Sequence, residues 1–489
     1  MIDRKLINII IFSMLLSANI NVPADYNSIQ EAIDASLVGD VITVSSGTYS
    51  EEVTLTKAIT LNGESGAVID ATQFTNGILI GFGSESNGYV DGVEVSGFEI
   101  LGGLNTMSGI QILPGSKNIT IQNNVIHGMR LPNSTSTLLA SYGILSWGIS
   151  NDFRPEGITI SDNEIYDTRA LGISFGSYSR DITVTNNSIH DIIAVDLTSS
   201  GYPDIDLSVG INAQYANNIS ISNNTFNNII TAISQTWVGE VIIGDNTYNN
   251  VDLFYTVDEY SYETVDNIDL DIDSFDSYLT ASFTLSSDTF PTPVVSLGWF
   301  SDINDAIGTA DENTQVLMSA GTFNQNIVWP NKNIELVGAG IDSTIINADS
   351  NSRAVTFQSA SIDDDSIIKN MTIQNGNGGI LIDGASPVID SCRIINNIAT
   401  SEVGGGIKIV GSGGEAVVDP VINNSIIINN QSVGDESISG GGAGIYITTG
   451  ATPLISNNLI ALNSATIGSA KGAGIMCYYA SPVLENNTI

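Results

Sequence analysis

NITIQNNVI, residues 118–126, is the phrase on which the fold of this chain turns. Ile119 and Ile121 alternate with Thr120 and Gln122, two asparagines follow, and the phrase closes on Ile126. Alternation with period two predicts a strand with one buried face, and asparagine tolerates the left-handed backbone of a sharp corner. The phrase recurs without gaps as GVEVSGFEI (92–100), GITISDNEI (157–165), DITVTNNSI (181–189), NISISNNTF (218–226) and EVIIGDNTY (240–248). The starts at 92, 118, 157, 181, 218 and 240 are 26, 39, 24, 37 and 22 residues apart. Repeats of this length made of strands and turns, with no helical period between them, predict a solenoid of stacked parallel strands.

The second half repeats more tightly. SPVIDS (386–391), DPVINN (419–424), TPLISN (452–457) and SPVLEN (481–486) are separated by glycine-rich returns, GGGIKI (404–409), GAGIYI (442–447) and GAGIMC (472–477). We expect Val388, Val421, Leu454 and Val483 to form one inward column. Asn424 and Asn457 are expected to form a ladder of asparagines along the stack. A larger duplication lies above these repeats. SIQEAIDASLVGDVITVSSGTY (28–49) and DINDAIGTADENTQVLMSAGTF (302–323) match at an offset of 274 residues. Each begins as a short amphipathic helix, suited to covering an open first rung. The expected organisation is therefore all-β, with two tandem solenoid modules at 20–290 and 296–489, each opened by a capping helix. An acidic non-repeating stretch runs from about residue 252, and the second module stops in mid-rung, as a truncated piece would.

Composition narrows the partners. Fourteen Lys and Arg stand against 53 Asp and Glu, a formal net charge of −39. Nucleic acids and anionic membranes need a basic surface, so both are excluded as expected partners. A polyanionic substrate would need a bridging cation such as Ca2+. Residues 1–18 read as a signal peptide: Arg4 and Lys5 precede the apolar LINIIIFSMLL (6–16), and Ser17 and Ala18 follow. That run is too short to span a bilayer, and no later segment is apolar enough. We therefore expect a secreted or cell-surface protein. Cys392 and Cys477 fall in different rungs at different positions, so free thiols are expected.

VPADYNSIQEAIDASLVGDVITVSSGTYSEEVTL (22–55), followed by the "NN.I" phrases, resembles the N-terminal cap and repeats of right-handed parallel β-helix proteins of the pectin-lyase-like superfamily. The resemblance covers nearly all of the mature chain and implies that fold. It does not select a function, because the superfamily includes polysaccharide lyases, epimerases, glycoside hydrolases, phage tailspikes and non-catalytic surface proteins. The Tyr-Gly-x-Asp-Pro-His motif of mannuronan epimerases is absent; its nearest counterpart is YGILSW (142–147). The paired aspartates of polygalacturonases are absent too, since no NTD precedes IDDDSI (362–367), which reads as a solvated turn.

One edge gathers chemistry. NVIHGMR (124–130), NEIYDTR (163–169) and NSIHDII (187–193) place His127, Tyr166 and His190 in one column of the stack. Asp167 and Asp191 stand in the next column, and Arg130 and Arg169 two places further on. Stacked rungs are about 4.8 Å apart, so one sugar chain would meet all three. An arginine could neutralise a uronate while Tyr166 or His190 moves a proton, and Asp167 with Asp191 could form a hydrolase pair. The candidate catalytic set is Tyr166, Arg169, His190, Asp167 and Asp191. The candidate substrate-binding set is His127, Arg130, Trp147, Arg154 and Tyr202, since insertions at 131–142, around 153–154 and at 194–209 flank this edge. Plain turn chemistry explains the same residue types, so catalysis, binding and turn formation all stay open. In DNIDLDIDSFD (266–276), Asp269, Asp271 and Asp273 share a strand face that could take Ca2+, though the run reads equally as a solvated strand. Two functions are carried forward. One is a polysaccharide-interacting β-helix, lyase-like if it is an enzyme; the other is a non-catalytic adhesin-type surface protein.

Overall fold

The structure, a computed structural model, describes residues 17–131, 140–195, 207–236, 239–258, 268–270, 277–285, 294–400, 402–412, 417–434, 441–466 and 472–489. A typical rung of the first half has three strands: Ser116–Gln122, Val125–His127 and Ser141–Ser146. The next rung repeats them as Glu156–Ser161, Glu164–Tyr166 and Ala170–Phe175, and each strand pairs in parallel with its counterpart. The chain is a parallel β-helix, as the periodicity predicts. The pairing Ile119↔Ile158↔Ile182↔Ile219 shows that the repeat phrases stack in the register read from the sequence.

The interior is filled by like residues from successive rungs. Ile121, Ile126 and Ile144 lie above Ile160, Ile165 and Ile173, all fully buried. Each such side chain contributes about 1.5–3 kcal/mol through apolar burial. Corners at both ends of the short strand need left-handed backbone. Asn123, Asp162, Asn186 and Asn223 have φ between 54° and 58°, and Asp167, Asp191, Asn228 and Asn250 between 51° and 53°. Asparagine and aspartate tolerate this conformation better than other non-glycine residues.

An asparagine ladder runs beside the first of these corners. Asn124, Asn163, Asn187, Asn224 and Asn246 are buried, and each Oδ1 after the first accepts from the main-chain N–H and the Nδ2 of the asparagine one rung below. In the second half the ladder members are Asn397, Asn430 and Asn463, with Asn458 and Asn487 at another corner. Asn424 and Asn457, the expected pair, are not members. They hold the left-handed corner itself (φ 50° and 59°) and bond Asp390 and Asn423 on the outside. The ladder sits one residue later, where the backbone has turned inward.

The column of Val388, Val421, Leu454 and Val483 exists, but it faces out. Ile389, Ile422 and Ile455 fill the core, fully buried. Period-two alternation explains the difference, because Val388 shares a face with Asp390, and the carboxylate belongs in water.

Helix α1 (Ile29–Ala35) buries Ile29, Ala32 and Ile33 over the first rung, with Ser28 as its N-cap. Helix α2 (Ile303–Thr309) buries Ile303, Ala306 and Ile307, with the Asp302 carboxylate accepting from the N–H of Asn304 and Asp305. Between the halves the strand direction reverses. Thr247–Asp258 pairs antiparallel with Val294–Phe300, which pairs with Leu279–Leu285, which pairs with Thr314–Met318. Residues of this junction sheet enter two apolar clusters: Tyr255 and Trp299 join the first, Leu253 and Phe300 the second. Cys392 is buried, Cys477 is exposed, and both are free thiols, as expected. Burial pushes the Cys392 thiol up to about 12.

Candidate functional site

The column His127, Tyr166, His190 forms as the repeat predicts. The three residues are paired across the short strands, and their side chains point outward because Ile126, Ile165 and Ile189 take the inward position. The rings stack on one another, His127 on Tyr166 at 4.7 Å and 3°, Tyr166 on His190 at 5.0 Å and 5°. These separations match the rung spacing, so Tyr166 spends both faces on its neighbours and each histidine spends one. Stacked pairs of this kind are worth about 0.5–1.5 kcal/mol each.

The polar atoms of the column are engaged as well. His127 Nε2 lies 3.1 Å from Glu99 Oε1. His190 Nε2 lies 3.2 Å from Glu164 Oε1, and its Nδ1 lies 2.7 Å from Asp191 Oδ2. Asp191 also accepts from Asn228 Nδ2 at 2.9 Å. The bond from His190, then that from Asn228, hold the Asp191 carboxyl below the usual carboxylate range. Arg130 donates to both carboxylate oxygens of Asp167. Burial, then Glu164, Glu99 and Asp167, push the Tyr166 phenol up, which disfavours a phenolate base. Arg169 follows the same corner; its main chain bonds Met129 and Ser141, and its guanidinium has no partner among the described residues.

Trp147 and Arg154 are not at this edge. They follow the strand Ser141–Ser146, about 20 Å of extended chain beyond it, at the corner that leads into Glu156–Ser161. Tyr202, Asp271 and Asp273 lie outside the described residues, as do 132–139 and 196–206 of the expected loops. Asp269 lies in the strand Ile268–Leu270, paired with Val241–Ile243. Among the described residues no three His, Cys, Asp or Glu side chains are grouped to hold a metal ion.

The corner between Ser141–Ser146 and Glu156–Ser161, a third corner of the rung, holds a groove of about 400 Å³, within the range of about 300–1,000 Å³ for small-ligand sites. Its walls include Arg154, Tyr178, Arg180, Tyr215, Asn151 and Asn217. The insertion at 149–156 builds one wall. Phe153, fully buried, packs edge-on against Tyr89 at 5.3 Å and fills the space beside Gly115, where a Cβ would meet its ring at 2.4 Å. This anchor leaves the next residue, Arg154, in the groove. Its Nη1 donates to the Asn151 carbonyl, and its Nη2 lies 3.3 Å from Glu156 Oε2. Arg180 Nε lies 3.2 Å from Asp181 Oδ2, near enough to pair charges but misaligned for a hydrogen bond. The Nε of Arg154 is buried without an acceptor, which costs about 1–3 kcal/mol.

Tyr178 and Tyr215 are 41% and 49% exposed, and both sit in left-handed backbone, at φ 67° and 54°. Bulky residues seldom take this conformation, and such outliers concentrate at functional positions. The main-chain N–H of Tyr178 donates to the Tyr215 carbonyl at 2.9 Å, so the two stand on successive rungs. Sequence reasoning fastened on the repeat phrases and missed both tyrosines and Arg180. A signal was present: Tyr178 and Tyr215 each stand three residues before a phrase, those starting at 181 and 218.

Among solved structures the chain is similar to the Dettilon tailspike protein gp208 (12% identity, TM-score 0.32, covering 90% of this chain and 62% of that one). It is similar also to an alginate lyase from Paenibacillus sp. str. FPU-7 (10% identity, TM-score 0.31, covering 94% and 98%). A third is PfbA, a surface adhesin of Streptococcus pneumoniae (11% identity, TM-score 0.33, covering 96% and 91%). The chain spans less than two thirds of the tailspike's length. At such identities and TM-scores these likenesses say nothing of what this chain binds. No curated protein matches it in sequence. The model of the right handed beta helix region matches residues 53–248 and 319–489, most of the chain, and the protein belongs to that family.

Proposed function

We propose that the protein is a secreted or surface β-helix that binds polysaccharide through its first half and does not cleave it. The observation that carries this reading is the groove at the third corner, where two exposed tyrosines in strained backbone stand on successive rungs beside two arginines. Exposed tyrosines on successive rungs add aromatic surface against which the apolar C–H faces of a sugar can pack. The edge of His127, Tyr166 and His190 supports catalysis less well, because both faces of Tyr166 and most of the column's polar atoms are already occupied within the protein. A lyase-like reaction is the second reading. The Arg169 guanidinium favours it, being the one group of the candidate catalytic set whose side chain has no partner among the described residues.

The test is retention on an array of plant, algal and bacterial polysaccharides, with release of unsaturated or reducing ends followed in parallel, with and without Ca2+. Wild type is expected to be retained without releasing product. Tyr178→Asn/Tyr215→Asn should lose retention, and Tyr166→Phe/Arg169→Ala should keep it. Product formed by wild type and lost in the Tyr166→Phe/Arg169→Ala variant would overturn the non-catalytic reading. Absence of retention across the array would overturn the binding reading.

A further inference from the structure

Resting on the reading just given, we propose that the groove at the third corner takes an uncharged stretch of glycan and discriminates against uronates and sulfated sugars. Its two cations do not present net positive charge to a ligand. Arg154 lies 3.3 Å from Glu156, and Arg180 lies 3.2 Å from Asp181, so each guanidinium is balanced by a carboxylate on its own wall. An acidic sugar would have to displace these carboxylates or lie beside them. It would also approach a protein carrying 53 acidic residues against 14 basic ones, whose field repels polyanions over a Debye length of about 8 Å at physiological salt.

The remaining walls match a polyol. Asn151 and Asn217 offer both donors and acceptors, as hydroxyls require of their partners. The Asn217 amide is kept in place by Gly239, where a Cβ would come within 2.4 Å of Nδ2. Guanidinium groups paired with carboxylates still expose N–H donors in a fixed plane, suited to vicinal hydroxyls. The exposed Tyr178 offers aromatic surface against which a sugar's C–H groups can pack. A shift of Arg154 toward a hydroxyl in the groove would relieve its buried, unpaired Nε.

The experiment compares native acidic polysaccharides with their carboxyl-reduced forms, alongside neutral glycans, by isothermal titration and array retention at low and high salt. The reduced and neutral forms are expected to bind at least tenfold more tightly than the native acidic ones, with the gap narrowing at high salt. Tyr178→Asn/Tyr215→Asn should weaken neutral binding at least tenfold; asparagine suits the left-handed backbone, so the variant should fold. Tighter binding of the acidic forms, lost in Arg154→Gln/Arg180→Gln, would overturn the charge preference and leave polysaccharide binding standing. Retention of no glycan in either form would overturn polysaccharide binding itself.

Discussion

Replacing Asn187 by alanine tests whether the asparagine ladder holds the first half together. The side chain is 1% exposed. Its Nδ2 donates to the carbonyls of Ile160 and Thr185, each at 3.0 Å, and to Asn224 Oδ1 at 2.9 Å. Its Oδ1 accepts from the main-chain N–H and from Nδ2 of Asn163, each at 3.0 Å. Alanine strands the Asn163 N–H in the interior, at about 1–3 kcal/mol, and leaves a carbonyl on either side poorly satisfied. The sum is about 3–4 kcal/mol, near the top of the range for single substitutions. In a solenoid, stability is a sum of neighbouring terms and a global unfolding energy is poorly defined, so the loss is best read locally. Hydrogen exchange at the Asn163 amide should quicken by more than a hundredfold. Asn228→Ala, at an exposed corner where among the described residues the side chain bonds only Asp191 and Asn250, should cost about 1 kcal/mol by comparison. Unchanged protection of the Asn163 amide in a folded Asn187→Ala protein would refute the ladder as a source of stability.

Three further outcomes are expected. Tyr178→Asn or Tyr215→Asn should stabilise the protein by about 0.5–1 kcal/mol in thermal or denaturant melts, because asparagine tolerates the left-handed backbone both tyrosines are held in. Arg353→Met should cost about 3–5 kcal/mol and raise exchange around residues 402–406, since the buried guanidinium bonds the carbonyls of Val403 and Gly404 and the carboxylate of Glu402. Asp305 is pushed up to about 6 by burial, then by Asp302 and Asp252. A raised carboxyl is more easily protonated in the folded state, so stability should fall as pH rises from the ordinary carboxylate range to about 6. Asp305→Asn should flatten that slope in melts across the same window, an effect of about 1 kcal/mol after allowing for solvent screening at this half-exposed group.

The fold was legible because its signal is redundant. Six copies of one phrase state the same alternation, and any one of them could be misread without changing the register of the rest. What the alternation alone could not convey was where the backbone turns. Asn424 looked like a ladder residue and is the corner, since the same amino acid serves both roles on adjacent positions. Val388 is apolar enough for a core column, but it shares a strand face with Asp390, and that turns the column outward. At the candidate site the column of His127, Tyr166 and His190 followed from register, yet its meaning depended on ring planes and carboxylate partners that no register contains. Arg154 and Trp147 follow that edge in sequence, yet a full strand separates them from it.

The repeat also bears on how such a chain can change over generations. In the second half Val388 pairs with Val421 and Val421 with Leu454, while Asn397 bonds Asn430 and Asn430 bonds Asn463. Each rung presents to the next the same steps and the same amide it receives from the one before. Excising residues 388–420 would bring Val421 to the place of Val388 and Asn430 to the place of Asn397, with every corner still supplied by a residue already fit for it. Length is thus a quantity that whole-rung gain or loss can adjust without redesigning the core. The corner built by Phe153, Tyr178 and Tyr215 has no such freedom, because its groove exists only where those particular rungs stand side by side.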